Sequence, residues 1–396
     1  MRIALIADHF PPLRTSCAVQ MRDLSRELVR QGHQVTVLLP AADLETPWRM
    51  EDMGGVRALC LKAPPTRDVG YVRRAIGEFL TPFAMLRNLR RSPLAMEKWD
   101  GVAWYSPSIF HGYLVSALKK SSRCKGYLII RDIFPEWAAD VGLIGRGLPY
   151  RFFAAVARYQ YAVADIIGVQ TPSNRPYFAA WRQQPGRKLE VLQNWLDKPV
   201  KARCPIRVDN TPLTSRRIFV YAGNMGIAQG MDILIDLARQ FATRADVGFL
   251  FVGRGSEAQR LKNRAQAQGL TNVLFYDEIE PDEIPDLYAQ CHAGVVALDP
   301  RHKSHNIPGK FLTYMQSGLP VLANVNEGND LAALIRSEQV GEVCENNQIA
   351  DLAQLANKLL IQIETDSVLS SRCSRLFARE FSAEQAARQV VRALSA

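Results

Sequence analysis

Lys310 stands at the start of a helical pattern, with His305 and Asn306 just before it, in the stretch SHNIPGKFLTYMQSGLPVLANVNEGND (residues 304–330). Phe311, Leu312 and Met315 recur at helical spacing. Pro308 pre-sets the first turn, and Gly318 followed by Pro320 stops the helix ahead of a short buried strand. The first turn of such a helix carries amides without an intrahelical acceptor, and the aligned peptide dipoles make that end positive. A cation, two polar side chains and free amides together suit an anion, most commonly a phosphate. The same residues also read as a plain helix-to-strand connection.

Three other stretches carry chemistry. Gly223-Asn224-Met225-Gly226-Ile227-Ala228-Gln229-Gly230 follows an apolar strand and leads into a helix, as a phosphate cradle would, and Gly253-Arg254-Gly255 ends the next strand. Arg131, Asp132 and Glu136 lie in RDIFPEWAADVGLI at the carboxyl end of a strand, where an Arg-Asp pair serves either a ligand or a loop-tying salt bridge. Residues 64–92 interleave Arg67, Arg73, Arg74, Arg87, Arg90 and Arg91 with large apolar residues against only Asp68 and Glu78. That pattern fits an anionic bilayer surface and equally a core-facing helix with a solvated Arg face. No recognised nucleic-acid module surrounds it, so nucleic acid is not expected as a partner.

These residues need elements to hold them. Residues 2–7 form a buried strand, a loop from Asp8 to Cys17 contains Ser16, an amphipathic helix spans about 19–31, and QVTVLLP follows as a strand. Strand, loop, helix, strand is one unit of a doubly wound sheet, whose ligands sit beyond the carboxyl ends of the strands. The alternation continues to a strand at 189–195. Residues 196–215, rich in Pro, Lys and Arg without a period, read as a linker before a second series begins. The expected organisation is α/β: a first Rossmann-like domain (1–195), the linker (196–215), a second Rossmann-like domain (216–380), and an amphipathic end (381–396) packing back on the first.

Composition narrows the function. Residues 1–200 hold 28 Lys+Arg against 17 Asp+Glu, which accounts for the whole net charge of +10 and points to an anionic partner on the first domain. Seven dispersed cysteines without a CxxC pair fit a reducing compartment and argue against a zinc knuckle. There is no GxGxxG fingerprint, no metal-ligand spacing, no apparent secretory signal and no apolar run long enough to span a bilayer.

FPP near the first strand, RDIFPEWAADVGLI, FVYAGNMGIAQGMDILI, FVGRG and IPGKFLTYMQSGLPVLA occur in one order and spacing. In these the chain resembles the family 4 retaining glycosyltransferases with the GT-B fold, two Rossmann-like domains facing across a cleft. It is most similar to the L-fucosaminyl transferases of O-antigen and capsule assembly. The resemblance implies a UDP-linked 6-deoxy-HexNAc donor as substrate, no cofactor and no metal. It also implies a polyprenyl-diphosphate-linked acceptor, and a peripheral location on the cytoplasmic face of the bacterial inner membrane. By resemblance Asp132, Arg131 and His305 lie near the donor sugar and acceptor. Gly223, Asn224, Gly226, Gln229, Gly253, Arg254, Asn306, Gly309, Lys310 and Thr313 line the donor, while Ser16, Arg73, Arg74, Arg87 and Arg90 face the acceptor or membrane. The chain departs from the family at four positions: His305 and Thr313 replace two glutamates eight residues apart, and Asn224 and Gln229 replace an Arg and a Lys. Those departures keep open a non-catalytic nucleotide-sugar-binding scaffold, and a GT-B UDP-GlcNAc epimerase stands as a further alternative.

Overall fold

Alternating strands and helices give two separate parallel sheets. The computed structural model describes residues 1–13, 15–140, 142–199, 202–299 and 307–396. The chain divides into two units: Met1–Asp197 with Ala383–Ala396, and Lys198–Ser382.

The first unit runs β1 (Arg2–Ile6), α1 (Ser16–Arg30), β2 (Gln34–Ala41), β3 (Trp48–Asp52), β4 (Arg57–Lys62), α2 (Tyr71–Leu89), β5 (Gly101–Tyr105), α3 (Gly112–Ser122), β6 (Lys125–Ile129), α4 (Glu136–Asp140), α5 (Leu148–Val163), β7 (Ile166–Val169), α6 (Ala179–Arg182) and β8 (Lys188–Val191). Its sheet order is β3-β4-β2-β1-β5-β6-β7-β8, parallel except for the edge pair β3–β4. Because side chains alternate along a strand, Ala4 and Ile6 join the core under α2, α3 and α5. Ile3 and Leu5 face the other way, toward α1.

The second unit runs β9 (Arg217–Ala222), α7 (Asp232–Gln240), β10 (Val247–Val252), α8 (Ala258–Ala267), β11 (Val273–Tyr276), α9 (Ile284–Tyr288), β12 (Ala293–Ala297), α10 (Gly309–Gln316), β13 (Val321–Asn324), α11 (Asp330–Glu338), β14 (Gly341–Cys344), α12 (Ile349–Thr365) and α13 (Leu369–Leu376). Its sheet order is β11-β10-β9-β12-β13-β14, all parallel. Residues 202–215 belong to this unit: Cys204, Ile206, Val208 and Leu213 are buried in it. The polar composition of that stretch hides four inward apolar side chains, so it is not a free linker.

The last helix, α14 (Ala383–Ser395), belongs to the first unit. Its Ala386, Ala387, Val390 and Leu394 share a core with Met21, Leu24 and Leu28 of α1. Gln389 donates to the Val191 carbonyl at 2.8 Å, and the Ala383 amide to the Leu196 carbonyl at 2.9 Å.

In each sheet the chain reverses its winding once. The reversal lies between β1 and β5 in the first unit and between β9 and β12 in the second. Such switch points leave a crevice beyond the strand ends, since the loops on either side lead away from each other.

Candidate functional site

In the second unit, β9 and β12 are paired only through Ala293–Phe219 and Gly294–Val220. Past Gly294 and Val220 the two strands are no longer paired in register. The hydroxyl of Tyr314 on α10 fills the gap, 3.1 Å from the Val220 oxygen and 3.0 Å from the Val295 oxygen. Gly294 makes room for the ring, since a Cβ there would lie 2.5 Å from it. Tyr314 is fully buried, its ring 5.0 Å from that of Tyr288. This wedge aims the start of α10 at the switch point.

Lys310 is therefore held over the strand ends. Its ammonium lies 4.4 Å from the centre of the Tyr221 ring, and among the described residues no carboxylate pairs with it. Burial pushes its pKa down from the ordinary 10.5 to about 8. Gly309, just before it, opens onto free space. A desolvated cation with no counterion among the described residues, beside first-turn amides, is prepared for an anion that arrives from outside.

Two loops floor this corner, and backbone hydrogen bonds knit them together. The Met225 amide donates to the Arg254 carbonyl at 2.7 Å, and the Glu257 amide to the Met225 carbonyl at 2.9 Å. Gly253, at φ +144°, is required here, because a Cβ would overlap the Gly223 carbonyl oxygen.

Several expected donor contacts are already used internally. The Gly226 amide donates to Gln229 Oε1 at 2.9 Å, and Asn224 Nδ2 reaches the same oxygen at 3.3 Å. The Gly226 amide is therefore not a free diphosphate donor, because the short turn at 227–229 closes on itself, whereas Gln229 is engaged there through its oxygen and keeps its Nε2 as a donor. Thr313 Oγ1 donates to the Lys310 carbonyl at 2.8 Å, leaving it able only to accept. Arg254 pairs with Glu278 at 2.9 Å, both side chains exposed, a bond weak enough to exchange for a ligand. His305 and Asn306 lie outside the described residues.

In the first unit the structure reassigns Arg131. It is buried, and four hydrogen bonds occupy it: to the carbonyls of Ile130, Leu192 and Gln193, and to Gln20 Oε1. Its guanidinium stacks 4.8 Å from the Trp195 ring. Arg131 is thus a strut joining the end of β6 to α1 and to residues 192–195, not a group facing a ligand. Asp132 beside it is exposed as a residue, yet crowding around the carboxyl pushes its pKa up, offset in part by Arg131.

Across the first switch point lies a pair that the sequence reading does not single out. His111 Nε2, buried ahead of α3, is 3.0 Å from Asp8 Oδ1 at the end of β1. Burial raises the Asp8 pKa, and the facing His111 more than offsets it, so the carboxyl sits below its ordinary value. Asp8 is legible as the residue after a strand, but its partner is 103 positions away. His9 bonds Thr15 Oγ1 at 3.0 Å, and Thr15 caps α1, where Ser16 is exposed in the first turn. Burial and then the charge of Arg67 hold the His9 pKa down, with Arg74 adding to it against Asp8. The basic stretch therefore lies close to this corner. Arg73, Arg87 and Arg90 are exposed, and Arg74 pairs with Glu78 at 2.8 Å.

Comparison with solved structures defines the class. Sucrose-phosphate synthase from Thermosynechococcus elongatus superposes with a TM-score of 0.69 at 18% identity, covering 99% of this chain and 98% of its own. HepE of Anabaena, solved in complex with UDP, gives 0.66 at 15% identity over 100% of both chains. WaaG, a glycosyltransferase involved in lipopolysaccharide biosynthesis, gives 0.64 at 16% identity over 100% of both. The chain has the two-domain GT-B fold.

The second unit can be placed more closely. Residues 216–362 match the family model described as Glycosyl transferases group 1, so this unit carries a domain of that family. "Probable glycosyltransferase WbjE" of Pseudomonas aeruginosa is similar at 21% identity over 365 residues, covering 90% of this chain and 89% of its own length. Among the described residues, no helix is long and apolar enough to cross a membrane.

Proposed function

We propose that this protein is a retaining glycosyltransferase that moves an amino sugar from UDP to a lipid-diphosphate-linked acceptor in bacterial surface-polysaccharide assembly. The observation that carries the reading is Lys310, a half-buried, desolvated cation with no carboxylate partner among the described residues, at the second unit's switch point. The group 1 domain and the UDP bound by HepE support a nucleotide diphosphate as the anion. The lipopolysaccharide role of WaaG supports a glycan acceptor. The sugar itself, N-acetyl-L-fucosamine or a related HexNAc, rests on the motif resemblance.

In this reading Lys310 and the amides opening α10 hold the diphosphate, and Thr313 accepts from a ribose hydroxyl. As the bond between the sugar's anomeric carbon and the diphosphate oxygen breaks, negative charge grows on the leaving group. A preorganised cation and amides stabilise it without reorganising. The acceptor hydroxyl oxygen bonds to the anomeric carbon on the same face, and its proton passes to the departing phosphate oxygen. No resident metal or cofactor enters the scheme. The acceptor is assigned to the first unit, where Asp132 and the Asp8–His111 pair face the strand ends, at an anionic bilayer on the cytoplasmic side of the inner membrane.

Incubation with a panel of UDP-HexNAc donors and a lipid-diphosphate GlcNAc should release UDP and give a product whose anomeric configuration, read by NMR, matches the donor's. Folded protein that binds UDP but turns over no donor would favour the scaffold instead. Conversion of the nucleotide sugar to an isomer without acceptor would favour the epimerase.

A further inference from the structure

Asp8 follows β1 and His111 precedes α3, so the parallel pairing of β1 with β5 sets the two side by side across the first unit's switch point. The loop that carries His111 is held firmly. Gln160 of α5, fully buried, donates to the Ser108 carbonyl at 2.8 Å. A Cβ at Gly112 would lie 3.1 Å from the Gln160 Cα and 3.1 Å from the Tyr159 ring, so glycine there lets α5 close on the start of α3.

His111 is 1% exposed, yet neither of its ring nitrogens makes a hydrogen bond among the described residues. The 3.0 Å approach of Nε2 to Asp8 Oδ1 is an ionic contact rather than an aligned hydrogen bond. Buried polar groups left in this state are uncommon and cost stability. Asp8 differs, because its side chain keeps 38% of its surface exposed beyond the strand ends, and no Lys or Arg pairs with it among the described residues. Burial alone would drive its carboxyl toward the neutral acid, and His111, helped by His9 and Ser108, reverses that. The other groups at this corner do not invite a cation. Arg67 and Arg74 act on His9, and burial and then Asp8 raise the Cys17 thiol to about 12, so it faces Asp8 uncharged. An ionised carboxylate accepts hydrogen bonds and donates none, and in cationic surroundings its fitting partner is a neutral hydroxyl.

We propose that Asp8 accepts a hydrogen bond from a hydroxyl of the acceptor sugar, and that His111 is the positioning residue that holds the carboxylate for it. The bonded hydroxyl is one other than the attacking hydroxyl, whose proton passes to the departing phosphate. The proposal rests on the glycan acceptor proposed above and is independent of how the donor is held.

The test is calorimetric binding of a short-chain lipid-diphosphate GlcNAc, with UDP titrated separately. Asp8→Asn keeps the shape of the side chain and should weaken the acceptor about ten-fold or more while leaving UDP affinity unchanged. Wild-type acceptor affinity should hold from about pH 7.5 to about pH 5, where Asp8 stays ionised. His111→Leu leaves the burial of Asp8 without its main offset, so its acceptor affinity should fall as pH drops, by up to about ten-fold per pH unit. His9, Cys17 and Arg67 are present in both proteins, so the difference between the two profiles belongs to Asp8. Adding Asp8→Asn to His111→Leu should remove the acid limb, which a packing role for His111 would never create. Asp8→Asn that binds the acceptor like the wild type would overturn the proposal, even if His111→Leu fails to fold. A His111→Leu profile parallel to that of the wild type would overturn it as well. Either result leaves the glycan acceptor standing, whereas a wild type that binds UDP but not the acceptor probe would remove that reading and this proposal together.

Discussion

Replacing Lys310 by methionine should make the second unit more stable and its nucleotide binding weaker. Methionine keeps the length of the side chain and its packing on Tyr221 while removing the desolvated charge. A fall in pKa from 10.5 to about 8 corresponds to roughly 3 kcal/mol spent on desolvating the ammonium. The Tyr221 ring returns about 0.5–2 kcal/mol of that. The variant should therefore gain about 1–3 kcal/mol at neutral pH, seen by calorimetry as a rise of several degrees in the melting of this unit, at about 2–4 °C per kcal/mol.

The sign follows from proton counting. Below about 8 both folded and unfolded states carry the proton, and the wild type bears the full cost. Between about 8 and 10.5 the folded state has released it and the unfolded state has not, so wild-type stability climbs with pH and the advantage of methionine fades. UDP affinity should move the other way. Loss of a charge-assisted bond worth about 1.5–3 kcal/mol weakens it about 10- to 150-fold. Wild-type affinity should itself fall about ten-fold per pH step above 8 as the free ammonium deprotonates. A less stable Lys310→Met variant that binds UDP as the wild type does would refute the reasoning.

Three further outcomes follow from the packing. Tyr314→Phe leaves the carbonyls of Val220 and Val295 without their buried donor. It should lower stability by about 1–3 kcal/mol and weaken UDP binding through the tilt of α10, and a drop in stability with unchanged UDP affinity would separate α10 from the site. Gly253→Ala puts a Cβ against the Gly223 carbonyl at a positive φ, and should cost more than 1 kcal/mol and reduce UDP affinity by calorimetry. Arg131→Met strands the carbonyls of Leu192 and Gln193. It should lower the melting of the first unit by about 2–5 kcal/mol in stability while leaving UDP affinity intact. Unchanged melting with lost turnover would return Arg131 to the catalytic groups.

Much of this architecture is readable along the chain because its signals are local. The alternation of apolar strands with amphipathic helices, and the glycine stops after them, mark both sheets and the start of α10. The edge pair β3–β4 is not readable, since WRMED is mostly exposed and charged and gains its strand only by pairing with β4. Side-chain roles are harder still, because they depend on distant partners. Arg131 looks like a ligand-facing residue until the carbonyls of residues 192 and 193 are brought to it. His111 looks like helix packing until Asp8 is set beside it. Gly226 looks like a free amide until Gln229 folds back. The apolar residues of residues 64–92 fit any amphipathic helix, and only the structure separates the buried ones, such as Met85, from exposed Val72 and Ile76.

A crystal structure of the protein with UDP measures the central claim directly. The diphosphate should lie within hydrogen-bonding distance of Lys310 Nζ and the amides that open α10, above the loops of Gly223 and Gly253. UDP bound at any other place, with Lys310 still without an anion, would contradict the account.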